Sequence, residues 1–299
     1  MELRHVRYLL AVADHGNFTR AAESLHISQP TLSQQIKQLE RALRVQLLDR
    51  SGRAVRLTDA GQVYAEHVRR ALRDLDAAER AVHDVQDLTR GQLRVAMTPT
   101  ITAYLIGPVV HRFHAAHPAV TVTVVETTQD RIEEGLLADD LDLGIAFAGA
   151  HVAGIESEAL FTEDLSVVSG PGHVLLGRSG RLPLHELAQH PLALLSGDFA
   201  TRVHIDRYFA ENRIDPRIAL EANSISALLE FVRGGSLATV LPDAITRAQP
   251  ELEPLGVDPA LPSRTVELLR RRTAYHSVAA RAFASIVRSE AVGLSSNRD

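Results

Sequence analysis

Residues 19–34 read TRAAESLHISQPTLSQ, and residues 57–61 read LTDAG after a short basic stretch. The first segment has the pattern of two short helices joined by a tight turn, with Thr19 and Ser28 as the predicted N-caps. Pro30 is compatible with a first helical turn, because the amide that proline lacks has no partner there. A helix pair of this kind, followed by a basic hairpin, is typical of proteins that place one helix in the major groove of DNA.

The second helix of this pair has one apolar and one polar face. Leu32, Ile36 and Leu39 recur at the spacing of a buried helix face. The opposite face carries short neutral donors and acceptors that suit base edges, and one cation that suits a phosphate. The DNA contacts predicted for the helix pair are Thr19, Arg20, Ser28, Gln29, Pro30, Thr31, Ser33, Gln34 and Lys37.

A basic hairpin is predicted after the helix pair, with arms at residues 46–50 and 53–57. Arg50 and Arg53 complete the predicted DNA contacts, and Arg53 at the tip is expected to reach a minor groove or a phosphate. The alternative is an ordinary amphipathic helix pair in a helical domain. The two N-caps, the glutamine-rich face and the hairpin together favour DNA binding.

The charge distribution agrees with a DNA-binding N-terminus. The chain of 299 residues has a formal net charge of -5, but residues 1–57 hold nine Lys+Arg against five Asp+Glu. The positive charge therefore lies where the helix pair lies. The chain has no cysteine, which excludes disulfides, thiolate metal sites and a cysteine nucleophile. We see no signal-peptide core or transmembrane stretch and expect a cytoplasmic protein with no membrane partner.

A long helix is predicted to link the N-terminal unit of residues 1–58 to the rest of the chain. Thr58 caps it, and it extends over residues 59–89 without a proline. A narrow apolar seam on an otherwise charged helix usually packs against a copy of itself, so we expect dimerisation; the alternative is a helix that lies on its own domain. The seam consists of Val63, His67, Ala71, Leu75, Ala78, Val82 and Val85.

Strands and helices alternate from residue 90 to the C-terminus, which indicates βαβ units and sheets with parallel strands. This alternation of strands and helices occurs twice, so two similar α/β lobes with a cleft between them are expected. Lobe I is predicted at about 90–160 and 265–299, and lobe II at about 161–264.

The loops that follow the predicted strands point to a binding site in that cleft. Ligands of α/β sheets bind beyond the carboxyl ends of the strands, and helix N-termini there favour an anion. The alternative is that the hydroxyls of these loops are only helix caps. The residues predicted to bind an effector are Thr98, Pro99, Thr100, Thr102, Thr127, Thr128, Phe147, Ser196 and Thr201.

The chain resembles the LysR-type transcriptional regulators over essentially its whole length. The most specific stretches read FTRAAESLHISQPTLSQQIKQLE at residues 18–40 and LLDRSGRAVRLTDAG at 47–61. Within that family it is similar to the cyanate-responsive subgroup, at LLAVADHGNFTRAA (9–22), AVHDVQDLTRGQLRVAMTPT (81–100), LDLGIAFA (141–148), LLSGDFATR (194–202) and EANSISALLE (221–230).

This resemblance implies a winged helix-turn-helix, a long linker helix and a two-lobed effector domain like a periplasmic binding protein. It implies a homotetramer built as a dimer of dimers that binds double-stranded promoter DNA and recruits RNA polymerase. It also implies a small anionic effector, which is cyanate or, as the alternative, a small carboxylate, and control of a cyanate-detoxification operon.

Two other functions are compatible with a two-lobed fold. A transport component would need a signal peptide and would not need a basic helix pair. An enzyme would need a nucleophile or an acid–base pair in the cleft, and the predicted loops offer hydroxyls without a histidine partner. The sequence also has no phosphate-binding loop or dinucleotide fingerprint, so no cofactor and no enzymatic activity are expected.

Overall fold

The computed structural model describes residues 2–52, 54–86, 91–177 and 180–296. The chain divides into two compact units, Met1–Glu79 and Arg80–Asp299. The first unit contains the helices α1 (Leu3–His15), α2 (Phe18–Ser24) and α3 (Gln29–Leu43), the short strands β1 (Leu48–Asp49) and β2 (Arg56–Leu57), and the start of α4 (Asp59–Gln86).

The core of the first unit is formed where α1, α2 and α3 cross. Leu9, Leu32 and Ile36 are fully buried, and Ala21 and Ala22 let the helices approach closely. Burial of each large aliphatic side chain contributes about 1.5–3 kcal/mol. α1 ends at Gly16, whose φ of 60° is the left-handed conformation that glycine adopts without a steric penalty. This core fixes α3 with its polar face outward.

Two local predictions for this unit need correction. The N-cap of α2 is Asn17, not Thr19, because the Asn17 side chain accepts hydrogen bonds from the backbone amides of both Thr19 (2.8 Å) and Arg20 (3.2 Å). The hairpin ladder is also shorter than predicted, since among the described residues of the hairpin β1 and β2 pair only at Leu48↔Leu57 and Asp49↔Arg56.

The second unit contains two five-stranded sheets, one in each lobe. Lobe I has the strand order β4-β3-β5-β14-β6, in which β3 is parallel to β4 and β5, and β14 is antiparallel to β5 and β6. Its elements are β3 (Gly91–Met97), α5 (Pro99–Ala116), β4 (Val120–Glu126), α6 (Gln129–Leu137), β5 (Leu143–Phe147), β6 (Ile155–Glu163), β14 (Arg264–Arg271) and α11 (Val278–Ser296).

Lobe II has the strand order β10-β9-β11-β7-β12 and a small parallel pair, β13-β8. Its elements are β7 (Leu165–Ser169), β8 (Leu182–Pro183), α7 (Leu184–Leu187), β9 (Leu192–Leu195), α8 (Ala200–Glu211), β10 (Ile218–Ala222), α9 (Ile225–Arg233), β11 (Ala238–Pro242), α10 (Asp243–Arg247), β12 (Glu253–Leu255) and β13 (Val257–Asp258).

The chain crosses between the lobes twice, once at Asp164 between β6 and β7 and once between β13 and β14. Strand β6 was not predicted, because ESEAL within it consists of good helix formers that obscure the alternation. Its pairing with β14 places Glu163 opposite Arg264 at the crossover. In lobe I, α5 and α11 cover one sheet face through Phe113 and Phe283, whose ring centroids are 5.3 Å apart.

Candidate functional sites

The exposed face of α3 carries most of the predicted DNA contacts. Gln29, Thr31, Gln34 and Lys37 are exposed and Ser33 is half-buried. The start of the helix is fixed as predicted, because the Ser28 hydroxyl accepts a hydrogen bond from the Thr31 amide (3.3 Å) and lies 2.7 Å from the Thr31 hydroxyl. The neighbouring predicted contacts are also exposed: Thr19, Arg20, Ser28 and Pro30. The donors and acceptors of this face are not used in the core where α3 packs against α1 and α2.

Arg50 has an internal partner that the sequence did not reveal. Its guanidinium donates to Glu40 (3.1 Å) and lies 5.0 Å from the centre of the Phe18 ring. The other Glu40 oxygen accepts from the backbone amides of Leu47 and Leu48. Arg50 therefore helps to hold the hairpin against α3, with a third of its side chain exposed. Arg53, predicted at the hairpin tip, lies outside the described residues.

The LTDAG segment joins the hairpin to α4 through a close backbone approach. The Thr58 hydroxyl accepts from the Gly61 amide (3.0 Å) and donates to the Gln46 carbonyl (2.7 Å). A Cβ added at Gly61 would lie 2.0 Å from the Leu47 carbonyl oxygen, so no larger residue fits without displacing the backbone. This packing sets where α4 begins.

A second basic surface lies at the C-terminal end of α3. Three cations, Lys37, Arg41 and Arg44, line an open depression together with Glu40, Val45 and Gln46. Only Lys37 of these three was predicted to contact DNA, although the spacing of Lys37 and Arg41 places them on one side of α3 and Arg44 is its C-cap. Such a cluster suits phosphate oxygens.

The predicted seam of α4 is exposed as far as its side chains are described. Val63 is 59 % exposed and Leu75 is 44 % exposed, and His67, Ala71 and Ala78 are also exposed. The side chains of Val82 and Val85 lie outside the described residues. An apolar stripe that stays exposed along a charged helix needs a covering surface.

A cleft of about 300 Å³ lies between the two lobes of the second unit. Two predicted effector residues, Thr128 and Phe147, line it. Lobe II contributes residues of α8 and of the loop before it, and lobe I contributes the start of α6 and the first residue of β14. The lining residues are Thr128, Gln129, Asp130, Phe147, Ala148, Asp198, Ala200, Val203, His204, Arg207 and Arg264.

Two of the predicted hydroxyls join the lobes instead of lining this cleft. Thr100 at the start of α5 and Thr201 at the start of α8 are both buried, and their hydroxyls lie 3.2 Å apart. Arg264 donates to both hydroxyls, at 3.4 Å and 3.0 Å. The hydroxyls of these two residues therefore hold the guanidinium of Arg264 in position by accepting its hydrogen bonds.

The other predicted effector residues differ in their surroundings. Pro99 is buried in α5, and Thr102 donates its hydroxyl to the Thr98 carbonyl (3.1 Å). The hydroxyls of Thr98 and Ser196 are buried without a hydrogen-bond partner in the described part of the chain. Thr127 is half-buried at the end of β4. None of these five side chains is among those that line the cleft.

Arg264 is the central residue of the cleft wall, and the sequence analysis missed it. It forms a buried ion pair with Glu163 and stacks on Phe147, with its guanidinium carbon 3.6 Å from the ring centre. Tyr104 donates to Glu163 (2.6 Å), and burial, with the Glu163 charge beside it, raises the pKa of Tyr104 well above its ordinary value. The Tyr104 hydroxyl therefore stays protonated and remains a donor.

Other cleft side chains are not committed to internal partners. Asp130, Asp198 and Arg207 are exposed, and within the described ranges none of them has a hydrogen bond or ion pair through its side chain. His204 also lines the cleft, with Nε2 3.0 Å from the Pro262 carbonyl oxygen. The cleft thus presents both signs of charge to its contents.

The described part of the chain offers no cluster of three or more His, Cys, Asp or Glu side chains that could hold a metal ion. A search of the same residues for a helix long and apolar enough to span a bilayer also found none.

Comparison with known proteins identifies both units. The model of the bacterial regulatory helix-turn-helix protein, lysR family, matches residues 3–62, and the model of the LysR substrate binding domain matches residues 86–292. The nitrogen assimilation regulatory protein nac of Escherichia coli (strain K12) is 33% identical over 252 residues, which cover 83% of this chain and 80% of that protein.

The RuBisCO operon transcriptional regulator of Allochromatium vinosum is 30% identical over 297 residues, which cover 97% of each chain. Among solved structures, full-length CbnR complexed with its target DNA superposes with a TM-score of 0.67 at 26% identity, and the match covers 97% of this chain and 99% of that one. These relatives are transcriptional regulators and not enzymes. The chain, with its N-terminal helix-turn-helix and two-lobed α/β effector domain, belongs to the LysR family of DNA-binding transcriptional regulators.

Proposed function

We propose that this regulator recognises promoter DNA by inserting α3 into the major groove. The observation that supports this most directly is the row of short polar side chains on α3, in which Gln29 and Gln34 are exposed and Ser33 is half-buried. Amide side chains of this length form paired hydrogen bonds with base edges, and such pairs discriminate by about 1–3 kcal/mol against the wrong base. Lys37, Arg41 and Arg53 neutralise phosphates, and Arg50 positions the hairpin that carries Arg53.

Alanine variants of the α3 face separate reading from positioning. Gln34→Ala should relax base preference at one position of the bound sequence by about 1–3 kcal/mol. Arg53→Ala should weaken binding to all sequences and reduce the salt dependence of the affinity by about one phosphate contact. Both are measured by fluorescence anisotropy on short duplexes over a range of salt concentrations. Unchanged base preference in Gln29→Ala, Ser33→Ala and Gln34→Ala alike would contradict the assignment.

The α4 seam supports a homodimer, and two such dimers form the homotetramer that LysR regulators often adopt. Leu75 is exposed on α4, as part of an apolar stripe that faces solvent in the single chain. Leu75→Asp should shift the molecular mass seen by light scattering toward the monomer, because a charge inside a coiled seam loses its hydration. Glu66→Gln, on a charged part of the same helix, is the control and should leave the mass unchanged.

The cleft of the second unit is the proposed effector site, and a small carboxylate is the proposed effector class. The N-terminus of α8 and the guanidinium of Arg207, which has no side-chain partner among the described residues, both favour an anion there. The cleft of about 300 Å³ holds the volume of about ten waters. That is more than triatomic cyanate fills, so a larger carboxylate fits better than the cyanate expected from sequence similarity.

Calorimetric titration with cyanate, azide, bicarbonate and benzoate tests this choice. Saturable heat with benzoate and none with cyanate supports the carboxylate class. Binding of cyanate, alone or with azide, supports the cyanate-responsive subgroup and control of a cyanate-detoxification operon. Loss of the signal in Arg207→Gln would locate it in the cleft. An effector bound there would act in the cytoplasm on the DNA-bound tetramer and its contact with RNA polymerase.

A further inference from the structure

The charged groups of the cleft divide into a neutralised set and a free set. Arg264 belongs to the first set. Its guanidinium donates to Glu163, to Thr201 and to Thr100. A guanidinium has five N–H donors, so little of its hydrogen-bonding capacity is left for a ligand. The Glu163 carboxylate also cancels its charge, and Phe147 covers one of its faces.

The free set contains groups of both signs of charge. Asp130 lies in the first turn of α6, on lobe I. Asp198 precedes α8 and Arg207 lies within it, on lobe II. All three line the same cleft, and within the described ranges no ion pair or hydrogen bond engages their side chains. Among the described residues, a ligand in the cleft therefore meets one unpaired cation, Arg207, and two unpaired carboxylates, Asp130 and Asp198.

From this arrangement we infer that the effector is a zwitterion of amino-acid type, with an ammonium group as well as a carboxylate. The inference rests on the proposed effector role of the cleft and narrows it. The ligand carboxylate pairs with Arg207 and the α8 N-terminus, and its ammonium pairs with Asp130 and Asp198. The cleft volume of about 300 Å³ corresponds to about ten non-hydrogen atoms, each taken at roughly the share of a water.

A bare anion fits this set of charges less well. A ligand without a cationic group would pair its negative charge with Arg207 but would leave Asp130 and Asp198 without a cation, and these two carboxylates would repel it. An ammonium group removes this conflict, because its three N–H donors can hydrogen-bond to the carboxylate oxygens of Asp130 and Asp198. The contacts would also join lobe I to lobe II, since Asp130 and Asp198 lie on different lobes.

The test compares amino acids with the same acids lacking the α-ammonium group. Glutamate is paired with glutarate, leucine with 4-methylpentanoate and phenylalanine with 3-phenylpropanoate, each titrated into the full-length protein by calorimetry. The expected result is that at least one amino acid binds, and binds about tenfold or more tightly than its deaminated partner, the effect of a charge-assisted hydrogen bond. Asp198→Asn should reduce this ratio by about tenfold without weakening the deaminated partner.

Asp215→Asn is the matched control, because Asp215 is an exposed carboxylate of lobe II that does not line the cleft. It should leave the ratio unchanged. Equal affinity for an amino acid and its deaminated partner, with both lost in Arg207→Gln, would overturn the zwitterion and leave the carboxylate effector intact. Failure of every amino acid and every deaminated acid to bind would overturn both proposals.

Discussion

Removing one partner of the buried Glu163–Arg264 pair should destabilise the effector unit strongly. Only 4 % of the Glu163 side chain and 6 % of the Arg264 side chain are exposed. Glu163→Gln keeps the shape but leaves the guanidinium without its counter-charge, which costs about 3–5 kcal/mol at buried sites. Since Arg264 keeps its bonds to Thr100 and Thr201 and its stack on Phe147, we expect a loss of about 3 kcal/mol, the lower end.

A double-mutant cycle separates the pair from its members. Arg264→Met should also cost about 3 kcal/mol, because it leaves the Glu163 carboxylate buried and unpaired. The double variant should lose less than the sum, with a coupling of about 2–3 kcal/mol. The chain contains no tryptophan, so urea unfolding is followed by far-ultraviolet circular dichroism. Additive losses would refute the argument that the two charges compensate each other.

An exposed ion pair in the same lobe provides the control for this cycle. Arg288 donates to both carboxylate oxygens of Glu158, at 2.6 Å and 2.7 Å, but about two fifths of each side chain is exposed. Glu158→Gln should therefore cost no more than about 1 kcal/mol. A loss as large as that of Glu163→Gln would mean that burial is not the cause.

The remaining predictions concern packing and pH. Gly61→Ala should destabilise the N-terminal unit, because the new Cβ would meet the Leu47 carbonyl oxygen at 2.0 Å; thermal unfolding at wild-type temperature would contradict this. His151 lies 2.8 Å from both Glu133 and Glu267; burial alone would lower the pKa of His151, but these two carboxylates more than offset it and raise the pKa above its ordinary value of 6.5. The stability that protonated His151 contributes should be fully present below pH 6.5 and lost as pH rises through the raised pKa. The free energy of unfolding of His151→Gln should therefore differ from that of the wild type most at low pH. A constant difference across this pH range would refute the protonated bridge.

The features that the sequence predicted well are local ones. The start of α3 depends on Ser28 and Thr31, three residues apart, and the start of α4 depends on Thr58 and Gly61. N-caps of this kind can be identified from neighbouring residues alone. The wrong N-cap assignment for α2 is also a local matter, because Asn17 and Thr19 are both good caps and only the backbone conformation decides between them.

The cleft between the lobes was predicted, but most of its wall could not be predicted in the same way, because the wall is made by residues far apart in the chain. Glu163 and Arg264 are 101 residues apart, and Thr100 and Thr201 are also 101 residues apart. Thr100 and Thr201 were identified as helix-start hydroxyls, but only the fold shows that they face each other and an arginine. Arg264 itself is a single charged residue at a strand start, which in isolation predicts an exposed position.

The central claim, that the chain reads DNA sequence through α3, is tested most directly by selection from a pool of random-sequence duplexes. The full-length protein is incubated with the pool, and the bound duplexes are sequenced. The account predicts enrichment of a sequence with two-fold symmetry, as a dimer requires, and loss of preference at defined positions in Gln34→Ala. Retention of duplexes without any sequence preference would contradict it.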